Sequence, residues 1–452
     1  MGRLWQVGWF RWLVMRLLIA GALYAAIYTT TSFLLQRAVG REVQALHAAG
    51  FPVYVTDLDR RKVPEAEDAG PLFRAAEVLC EDAYAERPNL EDSLVILENG
   101  RLLIDAEDGM RPATEAEIEQ AESLIRKYGR ILEIIDQAAE RPGFNSQVKY
   151  EDGIAALLPA VIPDRRLARL SRAAAELACH RGDFPAAVRH LAAIKTLTRA
   201  CRDEPVLICL LVRIAMEDML YLSVREIVAA YPVPEERLAA LQKLLAYDSE
   251  DDRRAVAAVA GEVLMMTTTV QTLLRGQVPT LDERGPASGS GSMRGLPRLW
   301  LLLNELEYLR FWRGQMEELK AAGWPERPVQ TPHPGMTIPR YAVFARVLAP
   351  NFNAVWSHVT ARETSRRVTA WGVALRRHKL QTGSYPDRLD DLPPSLRTGL
   401  GEAVDPFSGQ PLVYRREGDG FFLCSFGPNG KDDGGKIDRE TRADDIAFRV
   451  TR

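Results

Sequence analysis

The chain lacks the short motifs that mark the commonest catalytic sites. Its 452 residues contain no HExxH zinc-protease motif, no GxSxG nucleophile turn, no GxxxxGKS/T phosphate loop and no GxGxxG after a strand. Its six histidines are scattered, and none has a partner at metal-ligand spacing. Catalytic triads are spatial rather than sequential, so a hydrolase built from distant residues stays open. The sequence favours a protein that is not an enzyme.

The chain is also short of cysteine and of net charge. Its five cysteines are odd in number and include no CxxC pair, so a disulfide framework is not indicated. The formal net charge is −3, whereas nucleic-acid-binding domains usually carry a basic excess. We therefore expect no nucleic-acid partner. At roughly 100–200 residues per domain, the length allows two or three domains.

One long apolar run lies at the N-terminus. Residues 17–35 are nineteen consecutive residues without a charge. As a helix they would span about 28 Å at 1.5 Å per residue, close to the roughly 30 Å of a bilayer's hydrocarbon core. Aromatic side chains precede the run, as an interfacial belt would: Trp5, Trp9, Phe10 and Trp12. Residues 1–36 are therefore predicted to be a membrane anchor.

The flanking arginines predict the orientation of this anchor. Their excess on the N-terminal side is slight, with Arg3, Arg11 and Arg16 before the run and Arg37 and Arg41 after it. The positive-inside rule then places the N-terminus in the cytoplasm and the bulk of the chain outside. We expect the membrane to be the inner membrane of a bacterium, as the resemblance of residues 365–448 described below implies. The alternative is a cleaved signal peptide, since residues 20–22 have a small-x-small pattern, although the apolar stretch continues past that site.

The middle of the chain is predicted to be helical. Residues 37–163 extend the anchor helix to about Ala49, contain an Asn99-Gly100 hairpin turn, and then form one helix from a Thr114–Glu117 capping box to about Glu140. Residues 164–323 carry apolar side chains at three- and four-residue spacing. Residues 276–297 are rich in glycine and serine and predict a linker.

A turn at residues 181–187 divides two of these helices. Gly182 lies at the turn, Phe184 and Ala187 supply packing side chains, and Pro205 closes the second helix. The unit resembles a tetratricopeptide-type hairpin, and this likeness implies a helical domain at 164–323 made of such hairpins. The full repeat signature is not sustained. A Pro-rich connector at 324–353 follows.

The C-terminal tail carries turn and acidic-loop chemistry that the helical remainder lacks. Apolar runs at 411–414 and 421–426 flank a Glu-Gly-Asp-Gly turn, which predicts an antiparallel hairpin. A glycine-rich loop with Asp432 and Asp433 follows, and Asp444 and Asp445 close it. Carboxylates and free carbonyls at this density suit a hard cation, while the alternative is a solvated acidic turn.

Residues 365–448 resemble the globular part of the type II secretion major pseudopilin. The likeness rests on four stretches: Gly383-Ser-Tyr-Pro386, the Asp405-Pro-Phe-Ser-Gly409 turn, Ser425-Phe-Gly-Pro-Asn-Gly430 and Asp445-Ile446. It implies a small α+β domain at 354–452 with an antiparallel sheet and a Ca²⁺ ion in the loop after the last strand. The positions that match the family's ligands are the Phe426 carbonyl, the Asn429 side chain, and Asp444 or Asp445. Asn429 stands where the family usually has aspartate, so Asp432 or Asp433 would have to supply the missing charge.

The chain also departs from that family. The peptidase site, the methylated N-terminus and the glutamate five residues into the apolar helix are missing, so a filament subunit is not expected. The predicted fold is mainly α, with a helical-hairpin domain between the membrane helix and the α+β domain. The predicted function is a non-enzymatic envelope scaffold for a protein partner, linked to secretion machinery. The alternatives are an envelope hydrolase with its site between the helical and C-terminal domains, and a pseudopilus-associated component.

Overall fold

The computed structural model describes residues 8–58, 63–106, 109–145, 148–156, 161–202, 204–275, 298–321, 338–349, 352–435, 437–438 and 443–451. Over these residues the protein is mainly helical, with an N-terminal apolar helix and a small antiparallel sheet near the C-terminus. These three features confirm the coarse prediction. The predicted linker at 276–297 and most of the Pro-rich connector lie outside the described residues.

Thirteen helices are described. In chain order they are α1 (Gly8–Ala48), α2 (Gly70–Glu86), α3 (Glu115–Lys127), α4 (Gly129–Ala139), α5 (Val161–His180), α6 (Phe184–Arg202), α7 (Leu207–Ala230), α8 (Glu235–Leu244), α9 (Glu250–Leu274), α10 (Arg298–Ala321), α11 (Val343–Leu348), α12 (Phe352–Thr382) and α13 (Pro394–Arg397).

Helix α1 continues well past the apolar run, as predicted. It is 41 residues long and stops before Gly50, whose φ of 90° lies in the left-handed region that favours glycine. Among the described residues two helices are long and apolar enough to cross a membrane. The apolar window of α9 is 67% buried inside the body, whereas that of α1 is 0% buried. Helix α9 is thus a core helix, and α1 is the candidate membrane span.

Helices α5 and α6 form the predicted antiparallel hairpin. Gly182 turns the chain with φ 78°, and Asp183 Oδ1 accepts a hydrogen bond from Ala186 N at 3.0 Å, which caps the start of α6. Small side chains such as Ala174 and Ala187 are buried between the helices. Small residues therefore let α5 and α6 approach each other closely at this position.

The predicted single helix from the capping box to Glu140 is wrong. Thr114 and Glu117 do form the capping box, but the helix breaks at Tyr128, and α3 and α4 follow one another with a bend. Glycine at position 129 weakens the helical preference there. The bend places the Tyr128 side chain in the core, where it is buried.

A first sheet has the strand order β1–β2–β3, with β1 (Ile96–Glu98), β2 (Arg101–Ala106) and β3 (Gly109–Pro112) all antiparallel. The predicted hairpin turn is present, since Asn99 and Gly100 both have positive φ, at 50° and 76°. The third strand was not predicted. Glu226 of α7 accepts a hydrogen bond from Asn99 N at 2.7 Å, which fixes this turn to the helical body.

The C-terminal sheet has the order β4–β5–β8, with β4 (Val413–Glu417), β5 (Gly420–Ser425) and β8 (Ile446–Val450). The predicted hairpin is its β4–β5 pair. Strand β5 is buried along its whole length, and α12 packs against β5 and β8. A separate two-stranded ladder joins β6 (Ile437–Asp438) to β7 (Ala443–Asp444).

Two hydrophobic cores hold these elements together. The larger core runs from α2 to the C-terminal sheet and includes the face of α12 that packs on α7 and α8. The smaller core lies between the second half of α1, α9, α10, α11 and the start of α12. Helix α12 is therefore shared between the helical body and the sheet that carries the predicted acidic loop.

Candidate functional site

The C-terminal sheet fixes both ends of the predicted acidic loop. Strands β5 and β8 pair antiparallel with Ser425 opposite Ile446, so the chain leaves and rejoins the sheet at one edge. Beside this point the buried Asp405 accepts hydrogen bonds from Ser425 Oγ at 2.7 Å and from Phe407 N at 3.0 Å. Asp405 thereby ties the preceding turn to the start of the loop, a structural use of a carboxylate.

Within the loop, side-chain oxygens accept hydrogen bonds from backbone amides. Asp444 Oδ1 accepts from Asn429 N at 3.3 Å, and Asp433 Oδ2 accepts from Asp444 N at 3.3 Å. Asp433 Oδ2 also accepts from Asn429 Nδ2 at 2.8 Å. Asp432 Oδ1 accepts from Gly434 N at 2.9 Å. These bonds join the outgoing and returning arms of the loop.

Gly427 lets the two arms approach closely. Its φ is 61°, and a Cβ added there would lie 2.1 Å from the carbonyl oxygen of Asp444. Since no side chain can occupy that space without moving the backbone, the glycine is required by the contact as well as by its φ. The loop is thus a compact, internally bonded element.

Asp445 lies at the base of the loop and is 0% exposed. Its Oδ2 accepts hydrogen bonds from Asp433 N at 2.9 Å and Gly435 N at 2.7 Å, while its Oδ1 is buried and has no hydrogen-bond partner among the described residues. Burial raises the pKa of Asp445, and the charges of Asp433 and Asp432 raise it further. Burial likewise raises the pKa of the Cys424 thiol to about 12, with Asp445 adding to the effect.

The structure brings four of the six predicted calcium ligands together: Asn429, Asp433, Asp444 and Asp445. Asp432 is exposed and caps its own turn, and Phe426 is half-buried at the end of β5. Over the described residues, no three or more His, Cys, Asp or Glu side chains converge as metal ligands would. The carboxylate chemistry and the unpartnered Asp445 oxygen nevertheless suit a hard cation. Calcium binding therefore stays a prediction.

A groove of about 950 Å³ lies between α12 and the loops that precede β4. Its apolar side chains include Trp371, Leu389 and Leu412, and its volume is within the range of small-molecule sites. Its rim aspartates are already engaged, since Asp387 pairs with Arg416 at 2.6 Å and Asp390 lies 3.9 Å from Arg388. This groove could not be predicted from the sequence, because its walls come from separate segments between residues 371 and 414.

A buried ionic network joins α7 and α9 to α12, and it was also missed from the sequence. Glu217 is fully buried and lies 2.7 Å from Lys195 Nζ and 3.2 Å from an Arg362 guanidinium nitrogen. Arg362 also donates a hydrogen bond to Asp251 at 3.0 Å, and an Arg213 guanidinium nitrogen lies 2.5 Å from an Asp251 carboxylate oxygen. Burial alone would raise the pKa of Glu217, but the cations around it hold that pKa well below its ordinary value.

A buried glutamate also lies in the smaller core. Glu305 of α10 is 2% exposed, and its Oε1 has no hydrogen-bond partner among the described residues. Burial raises the pKa of Glu305 to about 8. The side chain is therefore held as the neutral acid at pH 7.

No family model, curated protein or solved structure matches this chain. The likenesses to a pseudopilin head and to tetratricopeptide hairpins accordingly remain predictions from the motifs.

Proposed function

We propose that the protein is a single-pass membrane-anchored scaffold of the bacterial envelope. Its helical body, from residue 37 to α11, holds a C-terminal interaction head, residues 354–452, beside the membrane. The proposal rests on α1. Apolar side chains in its first half are exposed, with Leu18 68%, Leu23 59% and Ile27 65% accessible. Side chains of its second half, including Val39 and Leu46, are buried in the smaller core. The exposed half of α1 can lie in the membrane, and the packed half attaches the body rigidly to it, as expected of a membrane anchor.

The joint between the helical body and the head also supports a scaffold. Arg362 and Arg366 of α12 are buried, and Arg366 donates hydrogen bonds to the carbonyls of Leu245 and Leu400 at 2.9 and 3.0 Å. Buried guanidinium groups that bond both the body and the head resist rotation of one against the other. A partner bound at the head would therefore be held at a fixed position. We propose a protein partner in the secretion or envelope machinery, as the pseudopilin resemblance implies.

The anchor is tested by intact mass and membrane extraction of the chain expressed in a bacterium. An uncleaved anchor should keep the full mass of 50.5 kDa and stay with the membranes in alkaline carbonate. Replacing Leu23 and Ile27 by Asp should release it, because charges at the centre of a span are costly to insert. A chain that is shortened at residue 22 and soluble would contradict the anchor and establish a signal peptide.

We further propose that the C-terminal loop binds Ca²⁺ through Asp433, Asp444 and Asp445, with Asn429, Asp432 and the Phe426 carbonyl completing the set. Among the described residues, the four carboxylates make no ion pair with a Lys or Arg, and Asp445 Oδ1 has no hydrogen-bond partner. Burial raises the pKa of Asp444 and of Asp445, and the Asp433 charge adds to both shifts. A divalent cation would relieve this repulsion between neighbouring carboxylates.

Calcium should therefore raise the unfolding temperature of the full-length chain in detergent, relative to a chelator. At about a hundred times its dissociation constant, a ligand adds about 2.7 kcal/mol to the folded state. Asp445→Asn should abolish the shift, whereas Asp390→Asn, at a side chain that is 75% exposed on the groove rim, should leave it unchanged. An equal shift in both variants, or none at millimolar calcium, would reduce the loop to a solvated turn.

A further inference from the structure

The contacts between α1 and α10 show how deep the body sits relative to the membrane span. Arg298 Nε lies 3.2 Å from Ser32 Oγ, and Arg313 Nε lies 2.8 Å from Glu42 Oε2. Both helices therefore run in the same direction, and α10 begins beside Ser32. Ser32 lies three residues before the end of the uncharged run at Leu35, or about 4.5 Å at 1.5 Å per residue. The first turn of α10 thus reaches the edge of the proposed span.

Helix α11 packs on α10 close to that edge. The Tyr341 hydroxyl, just before α11, lies 3.2 Å from Glu307 Oε1, and Phe344 N donates to Asn304 Oδ1 at 2.9 Å. The Phe344 ring lies 6.2 Å from the Trp300 ring. The start of α11 therefore lies beside the stretch of α10 from Trp300 to Glu307.

The position of Val347 follows from these contacts. Asn304 is six residues beyond Arg298, or about 9 Å along the helix, and so lies about 4.5 Å past the level of Leu35. Val347 is three residues from Phe344, which is again about 4.5 Å along the helix. It therefore lies within about 9 Å of the level where the uncharged run of α1 ends.

The outer face of α11 is apolar and open. Val347 is 75% exposed and Val343 54%, one turn apart on the same face, and Tyr341 beside them is 54% exposed. Ala342 and Ala345 on the opposite face are fully buried against α10. The inner face alone accounts for the packing of α11 on the body. The described residues leave the outer face uncovered.

We propose that the outer face of α11 lies in the headgroup layer of the membrane that α1 crosses, as a second, interfacial contact between body and bilayer. This rests on the anchor proposed above. Two observations favour the membrane as the partner of this face. The face lies close to the level of the exposed half of α1, and basic side chains lie near it. Four exposed arginines lie close in the chain to these two segments: Arg37 and Arg41 just past the uncharged run of α1, and Arg340 and Arg346 just before and within α11. Apolar side chains with a basic surround match an acyl boundary beneath anionic headgroups.

Two contacts with the bilayer, one spanning and one interfacial, restrict the orientation of the body relative to the membrane more than the span alone does. A single span leaves a body free to tilt about its point of entry. A face that dips into the headgroup layer beside the span removes that tilt, because α11 is tied through α10 to α1. The head would then face outwards at a set angle to the membrane.

The proposal is tested with single bimane labels on the full-length chain in vesicles of phosphatidylglycerol and phosphatidylethanolamine. The five native cysteines are buried, so introduced cysteines can be labelled selectively. The labels are placed at Val347→Cys, at Leu23→Cys in the span, and at Val78→Cys, a valine of α2 that is 57% exposed. Quenching is measured with nitroxide lipids and separately with aqueous iodide.

The label at 347 should be quenched at least threefold more by nitroxide lipid, and at least threefold less by iodide, than the label at 78. Exchanging phosphatidylglycerol for a neutral lipid should weaken the lipid quenching at 347 but not at 23. If iodide quenches the label at 347 as strongly as the label at 78, while the label at 23 is still quenched by lipid, this proposal is wrong and the anchor stands. A label at 23 outside the lipid would overturn the anchor itself. Shielding of 347 from both quenchers would show a second copy of the chain on this face and overturn the membrane contact.

Discussion

Two regions of the molecule bury a glutamate, and they treat it in opposite ways. In the interface of α7, α9 and α12, Glu217 is fully buried among Lys195, Arg213 and Arg362. In the smaller core of α1, α10 and α11, Glu305 is 2% exposed, and burial is the cause of its raised pKa. The pKa of Glu217 is lowered, whereas that of Glu305 is raised to about 8.

The difference shows what each region is built to do. A charged glutamate that bonds cations from several helices fixes the direction in which those helices meet, since each bond is directional. A neutral, buried acid does little to fix the relative orientation of the helices around it, and it can form part of an apolar core. The first region therefore sets how the head is attached to the body. The second holds the body to α1 mainly by apolar packing.

Replacing Glu217 by Gln should give the largest effect in either region. The amide removes the negative charge and leaves Arg213 and Arg362 buried with one counter-charge, Asp251, between them. Breaking a buried pair by removing one partner costs about 3–5 kcal/mol. The unfolding midpoint in urea of the full-length chain in detergent should fall accordingly. The same substitution at Glu236, whose side chain is 80% exposed, is the control and should change little.

A loss below about 1 kcal/mol for Glu217→Gln would contradict the comparison. It would mean that the network reorganises around the amide, as a surface ion pair does. The attachment of the head would then depend on apolar contacts between α12 and α7, and the two regions would be held in the same way.

Local features of the fold could be predicted from the sequence where neighbours in the chain decide them. The Asn99-Gly100 turn, the Thr114–Glu117 capping box and the glycine turn at 182 each depend on residues within a few positions of one another, and all are present. The bounds of α7, α8, α9 and α12 likewise follow from periodicity and proline. The bend at Tyr128 was missed because a single glycine does not always end a helix.

Features that join distant segments could not be predicted. Glu217 and Arg362 are 145 residues apart, and a stretch as polar as 362–369 is typical of an exposed helix face. In the fold this stretch is largely buried. In the acidic loop, too, contacts between separate segments could not be predicted. The sequence placed two aspartates at its end but could not tell that Asp445 is buried with one oxygen unpartnered.

Replacing Glu305 by Gln should have the opposite sign to Glu217→Gln. The folded pKa of Glu305, about 8, lies above its ordinary value of 4.5, so the folded chain binds the proton more tightly than the unfolded chain. The stability that this proton provides is fully present below pH 4.5 and is lost as the pH rises to about 8. Glutamine has no proton to lose, so at pH 8 the variant should be more stable than the wild type by up to about 4 kcal/mol.

The measurement is a pair of urea unfolding curves at pH 5 and pH 8 for the wild type and the variant. At pH 5 the two should nearly coincide, and the gap should open as the pH rises. Glu307→Gln is the matched control two residues away, because the Glu307 carboxylate accepts hydrogen bonds from Arg310 at 3.0 Å and Tyr341 at 3.2 Å. That variant should lose a little stability and gain none at pH 8. If Glu305→Gln instead destabilises the chain at pH 8, Glu305 is ionised and paired in the folded protein. Both regions would then hold their glutamates by the same means.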